Sequence, residues 1–345
     1  MNIKKFKPKV IFAITYALDE KFWLKNELQK IGYNVKLLST KDNNKNASLS
    51  HWSMIKSNFT SLKLAIKVYR EYENEEIVIF WTYLAGVLFA ILDLIKRKTT
   101  VHTRILALHM LVINPNIFKK FFIRLVSFFS SRNNRLIIAV NSEEEKITFS
   151  TKYYINIEKT FVVPDCIETM RFHEFKNGDG RIFCGGDNSR DWATFLEAAR
   201  ILPHIQFIGI ARKRNFDSSQ IIPSNCLMYF DTDKEFFYKT LYDCSLVVLP
   251  LSSNLASGLL VLGQSAAFCK PVIITETSCS VNYVENMKTG LLLKEMKVPD
   301  ELANAINTLI NDKELQYDLA TSFSENMKIN HSHSRYASKL VSILK

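Results

Sequence analysis

The sequence predicts an α/β protein built from two doubly wound parallel sheets. Short apolar runs rich in β-branched residues alternate with longer amphipathic segments along the whole chain, which is typical of parallel strands joined by helices. The chain has 345 residues, more than a single hydrophobic core usually serves. We therefore expect two domains of roughly 150 to 180 residues each.

The first half begins with a βαβ unit, in which Lys9–Thr15 and Tyr33–Leu38 are strands and a helix over 19–31 ends at Gly32. Ser142 precedes the last helix of this half in the Ser-x-x-Glu pattern of a capping box. The other predicted elements are a loop at 42–50, helices at 58–73, 83–95 and 115–131, and strands at 77–80, 100–108 and 136–140.

Residues 77–95 allow a second interpretation, because they approach the length of a transmembrane helix. Asp93 lies inside this run, and Thr82, Tyr83 and Gly86 interrupt it near the middle. The first residues are β-branched, as in a buried strand. A strand followed by a helix is therefore the prediction, and a membrane span is the alternative.

The second half repeats the alternation, and residues 161–168 are expected to lead into it. Its predicted strands lie at 181–185, 205–210, 225–230, 244–250 and 270–275, with helices at 191–203, 235–242 and 258–268. A helix, a turn and a short strand are expected over 282–293, and closing helices at 300–311, 314–329 and 334–344.

The stretch Ser253–Pro271 carries the clearest functional pattern. It follows an apolar strand that ends in Pro250, and it places Ser257 and Gly258 at the start of an apolar helix. Free backbone N–H groups and the positive end of the helix dipole make such a turn suitable for a phosphate. The plain alternative is an ordinary Ser-Gly entry to a helix.

With the following strand Lys270–Thr275 and the segment Asn282–Leu293, this pattern resembles the GT-B glycosyltransferases of the large retaining group called GT4, or glycosyl transferases group 1. The resemblance implies two Rossmann-like domains facing a cleft. It assigns residues 1–168 to an acceptor-side domain, 169–180 to a linker, 181–330 to a nucleotide-sugar domain and 331–345 to a helix packing back on the first domain.

By the same resemblance, Ser257 and Gly258 hold the donor diphosphate and Gln264 binds the ribose. Gly185 and Gly186 let the backbone approach the ligand, and Arg190 is the cation that meets the diphosphate. The chain departs from the family in two places. Ala256 and Gln264 stand where most members have two glutamates, and Asp187 stands where a second basic residue is expected.

Three further candidates follow strand ends, where ligands bind in open α/β sheets. The resemblance places His109 near the acceptor or donor sugar, Asp231 near the nucleotide base and Glu276 near the sugar. A half-buried structural histidine and surface turns explain these residues equally well.

The charge of the chain is uneven. The net charge is +11, and residues 1–165 contain 26 Lys and Arg against 14 Asp and Glu, compared with 19 against 20 in the remainder. Phe118–Phe129 interleaves aromatic residues with Lys119, Lys120 and Arg124, as interfacial membrane helices do. For this helix, an interfacial membrane helix and a core-packed helix with a cationic outer face both stay open as interpretations. For the charge imbalance, an anionic membrane surface and a basic solvated face both stay open. No nucleic-acid-binding motif is present, so nucleic acid is not an expected partner.

The six cysteines form no CxxC pair, and several lie in apolar runs, which favours a reducing, cytoplasmic location, with the inner face of the plasma membrane as a variant. No His, Cys and Asp cluster has metal-ligand spacing, so no metal and no cofactor is expected.

The resemblance implies transfer of a sugar, with retention, from a nucleotide sugar to a glycan or lipid-linked acceptor in cell-surface polysaccharide or glycolipid synthesis. Two other classes stay open: a nucleotide-sugar epimerase with the same fold, and a non-catalytic partner that keeps the scaffold.

Overall fold

The computed structural model describes residues 8–15, 22–40, 51–100, 102–108, 117–166, 171–254 and 257–344, with side chains omitted for 51–58 and 117–120. The chain divides into two compact units. The first consists of residues 1–164 together with Tyr336–Lys345, and the second of Asp165–Arg335.

Within the described residues of the first unit, six parallel strands form one sheet in the order β2-β1-β3-β4-β5-β6. The elements are β1 (Lys9–Ile14), α1 (Trp23–Lys30), β2 (Asn34–Ser39), α2 (His51–Glu71), β3 (Ile77–Phe80), α3 (Tyr83–Lys96), β4 (Arg104–Ala107), α4 (Ile117–Ser130), β5 (Leu136–Val140), α5 (Glu143–Tyr153) and β6 (Thr160–Val162).

The described part of the second unit also forms a six-stranded parallel sheet, in the order β12-β11-β10-β7-β8-β9. Its elements, with the helix that follows it, are β7 (Ile182–Gly185), α6 (Trp192–Ile201), β8 (Phe207–Ala211), β9 (Cys226–Phe230), α7 (Lys234–Asp243), β10 (Leu246–Leu249), α8 (Leu259–Ala267), β11 (Val272–Thr275), β12 (Leu291–Leu293), α9 (Pro299–Asn311), α10 (Lys313–Asn330) and α11 (His333–Ser342).

The central strands are buried on both faces, as the continuous apolar runs of β3, β5, β7 and β10 predict for parallel sheets. In the second unit, one core lies under α6 and α9 and contains Trp192 and Phe195. The other lies under α8 and α10 and contains Leu262 and Phe323. The predicted class of two doubly wound α/β sheets is confirmed.

Residues 77–95 form the strand β3 and the helix α3, as predicted. In the described part of the chain, no helix is long and apolar enough to span a membrane. The interruption at Thr82 and Tyr83 is where the chain leaves the sheet and begins the helix.

The buried carboxylate in this apolar segment has a structural role. Asp93 is fully buried near the end of α3 and accepts hydrogen bonds from the backbone N–H of Thr99 at 2.9 Å and its hydroxyl at 2.8 Å. It also accepts one from Asn133 Nδ2 at 3.2 Å, and Arg135 forms an ion pair with it. A buried charge is tolerated when it is paired in this way, and this one fixes the exit of α3 against the turn before β5.

The predicted linker belongs instead to the second unit. The backbone N–H of His173 donates to Ala267 O at 2.7 Å, and that of Asp179 donates to Asp243 O at 2.9 Å. A Cβ at Gly178 would lie 2.1 Å from Cys244 O, so the backbone approaches this closely only because the residue is glycine. The boundary therefore lies at Pro164 and Asp165.

The helix predicted at the start of 282–293 is reduced to a single 3-10 turn, Ser280–Asn282. The side chains of Thr277 and Ser280 bond to each other's backbone N–H groups at 3.0 and 2.8 Å. This reciprocal pairing is that of a capping box and closes the turn. The turn does not continue as a helix, because Thr289 Oγ1 accepts from Glu285 N at 2.8 Å and Asn286 Oδ1 accepts from Leu292 N at 2.9 Å. Other boundaries differ by a few residues: α2 begins before residue 58, and β4 is shorter than 100–108. The predicted loop at 42–50 lies outside the described residues.

The last helix begins in the second unit, and its residues from Tyr336 onward belong to the first. The ring of Tyr336 contacts that of Trp23 in α1, with ring centroids 5.6 Å apart. Trp23 in turn contacts Trp81, which directly follows β3. The C-terminal residues therefore share an aromatic cluster with the first sheet.

We expect Asp93→Ala to destabilise the first unit by about 3 kcal/mol, because Arg135, Asn133 and Thr99 lose a shared buried partner. Urea unfolding followed by tryptophan fluorescence is the measurement, since three of the four tryptophans belong to the first unit. Glu71→Ala is the control. Its carboxylate forms a surface ion pair with Lys36 at 3.5 Å, which contributes about 0–1 kcal/mol. Equal effects of the two variants would contradict the role given to Asp93.

Candidate functional site

The candidate site lies where the second sheet changes direction. If its strands are numbered from β7, the order is 6-5-4-1-2-3, and the reversal falls between β7 and β10. The chain leaves these neighbours toward opposite faces, since α6 packs in one core and α8 in the other. In open α/β sheets such a reversal leaves a crevice beyond the carboxyl ends of the strands, where ligands bind.

The two loops at this crevice are tied together by backbone bonds. Arg190 and Leu251 form an isolated antiparallel bridge. The N–H of Asp191 donates to Pro250 O and that of Ser252 donates to Ser189 O, both at 3.0 Å. Asp191 also caps α6, accepting from Thr194 N at 3.1 Å. The loop after β7 is therefore held in place on both sides of Arg190.

Arg190 is a buried cation, with a relative exposure of 8%. Its Nε donates to Gly185 O at 2.8 Å and its Nη1 lies 3.5 Å from Asn188 O. Among the described residues, no carboxylate forms an ion pair with it. Burial lowers the pKa of this guanidinium from its usual value. A buried guanidinium without an anion is costly, because desolvation is not compensated.

Two glycines lie against this guanidinium. Gly186 has φ +120° and Gly258 has φ +84°, both in the region that favours glycine. A Cβ at Gly186 would lie 2.7 Å from Arg190 Nη2, and one at Gly258 would lie 3.3 Å from Nη1 and Nη2. The loop after β7 and the start of α8 thus bring their backbones close to one cationic group.

Polar atoms without partners surround the same place. Gly258 occupies the N-cap position of α8 and supplies no side-chain cap, so the first N–H groups of the helix are available to a ligand. Ser257 Oγ and Gln264 Oε1 are buried and have no hydrogen-bond partner in the described structure. The amide of Gln264 makes one bond, from Nε2 to Tyr238 Oη at 3.3 Å. Buried polar atoms are normally paired, so these two oxygens are open to a hydrogen bond from a ligand in the cavity.

These groups line one cavity of about 510 Å³ within the second unit, a size in the range of small-molecule sites. Its lining includes backbone and side chains from the carboxyl ends of β7, β8 and β9 and from the start of α8. The polar residues that line it are Asp165, Asp187, Asn188, Arg190, Arg212, Asp231, Thr232, Asp233, Lys234, Tyr238, Ser257 and Gln264.

The rim beyond β8 and β9 adds charges of both signs. Asp231, at φ +51°, lies 3.6 Å from Arg212 Nη1. Asp187 accepts from Arg214 Nη2 at 3.0 Å and also from Asn215. Asp187 therefore occupies the position expected for a second cation and is itself paired.

The structure thus brings together most of the candidates. Arg190, Gly186, Ser257, Gly258, Gln264 and Asp231 line one cavity, and Gly185 supplies the carbonyl that holds Arg190. Glu276 is exposed beyond β11 and does not line this cavity. His109 and Ala256 lie outside the described residues.

Sequence reasoning missed Arg212, Lys234 and Tyr238, which line the same cavity. A signal for Arg212 was present, because it directly follows β8 and so lies at the carboxyl end of a strand. Tyr238 lies inside the helix α7, where a tyrosine carries no sequence signal for a site.

Residues 214–328 match the family model described as glycosyl transferases group 1. The match covers the part of the second unit from the segment after β8 to α10. The chain resembles the group 1 glycosyltransferases. The GT-B architecture of this group accounts for its two parallel sheets.

Solved structures with the same GT-B fold cover almost the whole chain. A glycosyltransferase from Rickettsia africae aligns with a TM-score of 0.66 at 14% identity, covering 99% of this chain and 98% of that one. Sucrose-phosphate synthase from Thermosynechococcus elongatus aligns with a TM-score of 0.68 at 13% identity, covering 98% of each chain. Anabaena Alr3699/HepE, solved in complex with UDP, aligns with a TM-score of 0.65 at 15% identity, covering 97% of this chain and 99% of that one. No curated protein sequence matches the chain. At these identities the structures establish the GT-B fold.

We expect Arg190→Met to leave the melting temperature of the ligand-free protein unchanged or to raise it. The variant loses one bond to Gly185 O but no longer buries an unpaired charge, and the second effect is the larger. Differential scanning calorimetry without ligand is the measurement. Arg200→Met is the matched control, because Arg200 lies at the end of α6 and pairs with Glu197 at the surface, so its change should stay within about 0.5 kcal/mol.

A large fall in melting temperature for Arg190→Met alone would contradict this interpretation. It would show that the guanidinium stabilises the protein by holding the loops after β7 and β10 together.

Proposed function

We propose that the protein transfers a sugar from a nucleotide-sugar donor, with retention, to a glycan or lipid-linked acceptor in cell-surface polysaccharide or glycolipid synthesis. The observation that carries this proposal is the buried Arg190 guanidinium without an anionic partner, set against the start of α8. A diphosphate supplies the missing negative charge. The match to glycosyl transferases group 1 supports the same reaction.

In this reaction the bond between the sugar C1 and the diphosphate oxygen breaks, and negative charge develops on the departing diphosphate. Donors already fixed at the place where charge develops lower the barrier, because they need no reorganisation. Arg190 offers a planar fork of N–H donors, and the N-terminus of α8 offers backbone N–H groups. We assign to these two groups the stabilisation of the leaving group.

The nucleoside is assigned to the other end of the cavity. Gln264 Oε1 is an unpaired buried acceptor, suited to a ribose hydroxyl. Asp231, Arg212 and Lys234 lie at the ends of β8 and β9 and line the part assigned to the base. Arg212 is also the proposed second cation, since Asp187 cannot fill that role.

His109 and Glu276 stay candidates for the sugar and acceptor side. The family resemblance assigns them there. Glu276 follows β11 at the carboxyl edge of its sheet, and His109 lies outside the described residues. The acceptor is proposed to bind the first unit. The proposed location is the cytoplasm, at the inner face of the plasma membrane.

A non-catalytic nucleotide-binding partner is the second candidate, and the pairing of Asp187 with Arg214 is the observation that favours it. A cavity whose described lining has a single buried cation binds a diphosphate but stabilises a leaving group less well. Turnover separates the two functions.

The binding prediction concerns UDP, because the Anabaena Alr3699/HepE structures contain UDP and UDP-glucose. We expect Arg190→Ala to weaken UDP binding by about tenfold to a hundredfold, which corresponds to the loss of charge-assisted bonds of roughly 1.5–3 kcal/mol. Arg190→Lys should keep part of the affinity, because the charge survives while the fork geometry does not. Titration calorimetry on folded variants measures this effect, with GDP and ADP as comparison nucleotides.

Arg200→Ala is the control and should bind UDP as the wild type does. If Arg190→Ala also bound every tested nucleoside diphosphate as tightly as the wild type, the assignment of the diphosphate to this cavity would be wrong.

The turnover prediction concerns what happens to the donor. A transferase should release UDP from UDP-sugars much faster when cell-derived glycan or glycolipid acceptors are present, and Arg190→Ala should lower kcat because the leaving-group interaction strengthens in the transition state. Coupled detection of UDP measures this release. An epimerase would release UDP without any acceptor, and a scaffold would bind UDP without releasing any from UDP-sugars.

A further inference from the structure

The helix α4 presents a stripe of large apolar side chains to the outside of the first unit. The side chains of this helix are described from residue 121 onward. Those that are buried are small: Val126, Ser127 and Ser130. The exposed members are Phe121 at 67%, Phe122 at 41%, Leu125 at 44%, Phe128 at 45% and Phe129 at 47%. Five such residues on one helix exceed the scattered exposed hydrophobics of an ordinary surface.

The spacing of these residues makes one continuous surface. They lie at i, i+1, i+4, i+7 and i+8, which at about 100° per residue covers an arc of roughly 120°. Val126, Ser127 and Ser130 lie on the opposite side and face α3 and α5, against which α4 packs. A helix packed into the core would bury this stripe, so the core-packed interpretation of the sequence does not describe α4.

Cationic groups border the stripe. Arg132 lies over the ring of Phe128 at 3.8 Å and near that of Phe129 at 5.7 Å. Arg124 lies beside the stripe on the helix and donates from Nε to Lys152 O at 2.8 Å. Lys119 and Lys120 belong to the first turn of the same helix. Aromatic residues bordered by Arg and Lys are the composition of a helix that lies in a lipid interface.

The charge of the first unit favours a lipid surface over a second copy of the chain as the partner that covers this stripe. The residues of the first unit contain 28 Lys and Arg against 13 Asp and Glu, whereas those of the second contain 17 against 21. A second copy docked stripe to stripe would bring two strongly basic units together, which like-charge repulsion opposes. An anionic lipid surface attracts the same unit.

We propose that α4 docks the protein on a membrane surface rich in anionic phospholipid, with Phe121, Phe122, Leu125, Phe128 and Phe129 inserted among the headgroups and acyl chains. The cationic residues around the stripe contact the lipid phosphates. The helix lies in the plane of the interface and does not cross it, because at 14 residues it is about 21 Å long. A lipid-linked acceptor presented at such a surface would reach the unit to which the proposed function assigns it.

The test is co-sedimentation with phosphatidylcholine vesicles, with and without phosphatidylglycerol, at low and high salt and with no nucleotide present. We expect binding to the anionic vesicles that salt weakens. The double variant Phe121→Gln with Phe128→Gln should lower the partition coefficient by about tenfold or more, because it removes inserted apolar surface while keeping residues compatible with a helix.

The matched control replaces two exposed isoleucines of the second unit, Ile221→Gln with Ile329→Gln, which should bind vesicles as the wild type does. Circular dichroism melting confirms that both double variants are folded. Two results would overturn the proposal: unchanged vesicle binding by the α4 variant, or a wild-type dimer that this variant dissociates while the wild type ignores vesicles. Because nucleotide is absent, neither result depends on the donor site.

Discussion

The candidate site depends on one interaction that the protein alone does not complete, the burial of the Arg190 guanidinium without an anion. Its Nε is held by Gly185 O, and two glycines with positive φ leave room for its Nη atoms. Three neighbouring features lie beside this charge: the bridge to Leu251, the uncapped start of α8 and the unpaired Ser257 hydroxyl. A protein selected for stability alone would replace or pair this cation. The proposed function assigns the missing anion to the donor diphosphate.

The sheet topology explains why these residues meet. Parallel strands end at one edge, and the reversal of order between β7 and β10 sends α6 and α8 to opposite faces. The loops after the two strands, about 65 residues apart in sequence, are then neighbours across the crevice. The geometry requires no special contact between distant helices. It follows from strand order, which the GT-B fold fixes.

The first unit departs in two places from the usual distribution of polar groups outside and apolar groups inside. Asp93 lies in an apolar helix, and its bonds to Thr99, Asn133 and Arg135 make a buried charge acceptable. The phenylalanines of α4 lie outside, where nothing among the described residues covers them. The first departure is satisfied inside the unit and is structural. The second has no partner among the described residues, as the Arg190 guanidinium has none, and this is the basis for the proposed membrane contact.

The sequence by itself determined the fold class, most strands and helices, and the turn at Ser257 and Gly258, because these depend on local apolar periodicity and on glycine and proline signals. It did not determine that 282–293 lacks an α-helix, where the side chains of Thr289 and Asn286 accept from backbone N–H groups instead. It could not show that Arg190 is unpaired, that Arg212 and Tyr238 share its cavity, or that the α4 phenylalanines face outward. Burial and pairing are relations between segments far apart in the chain, so only the tertiary structure decides them.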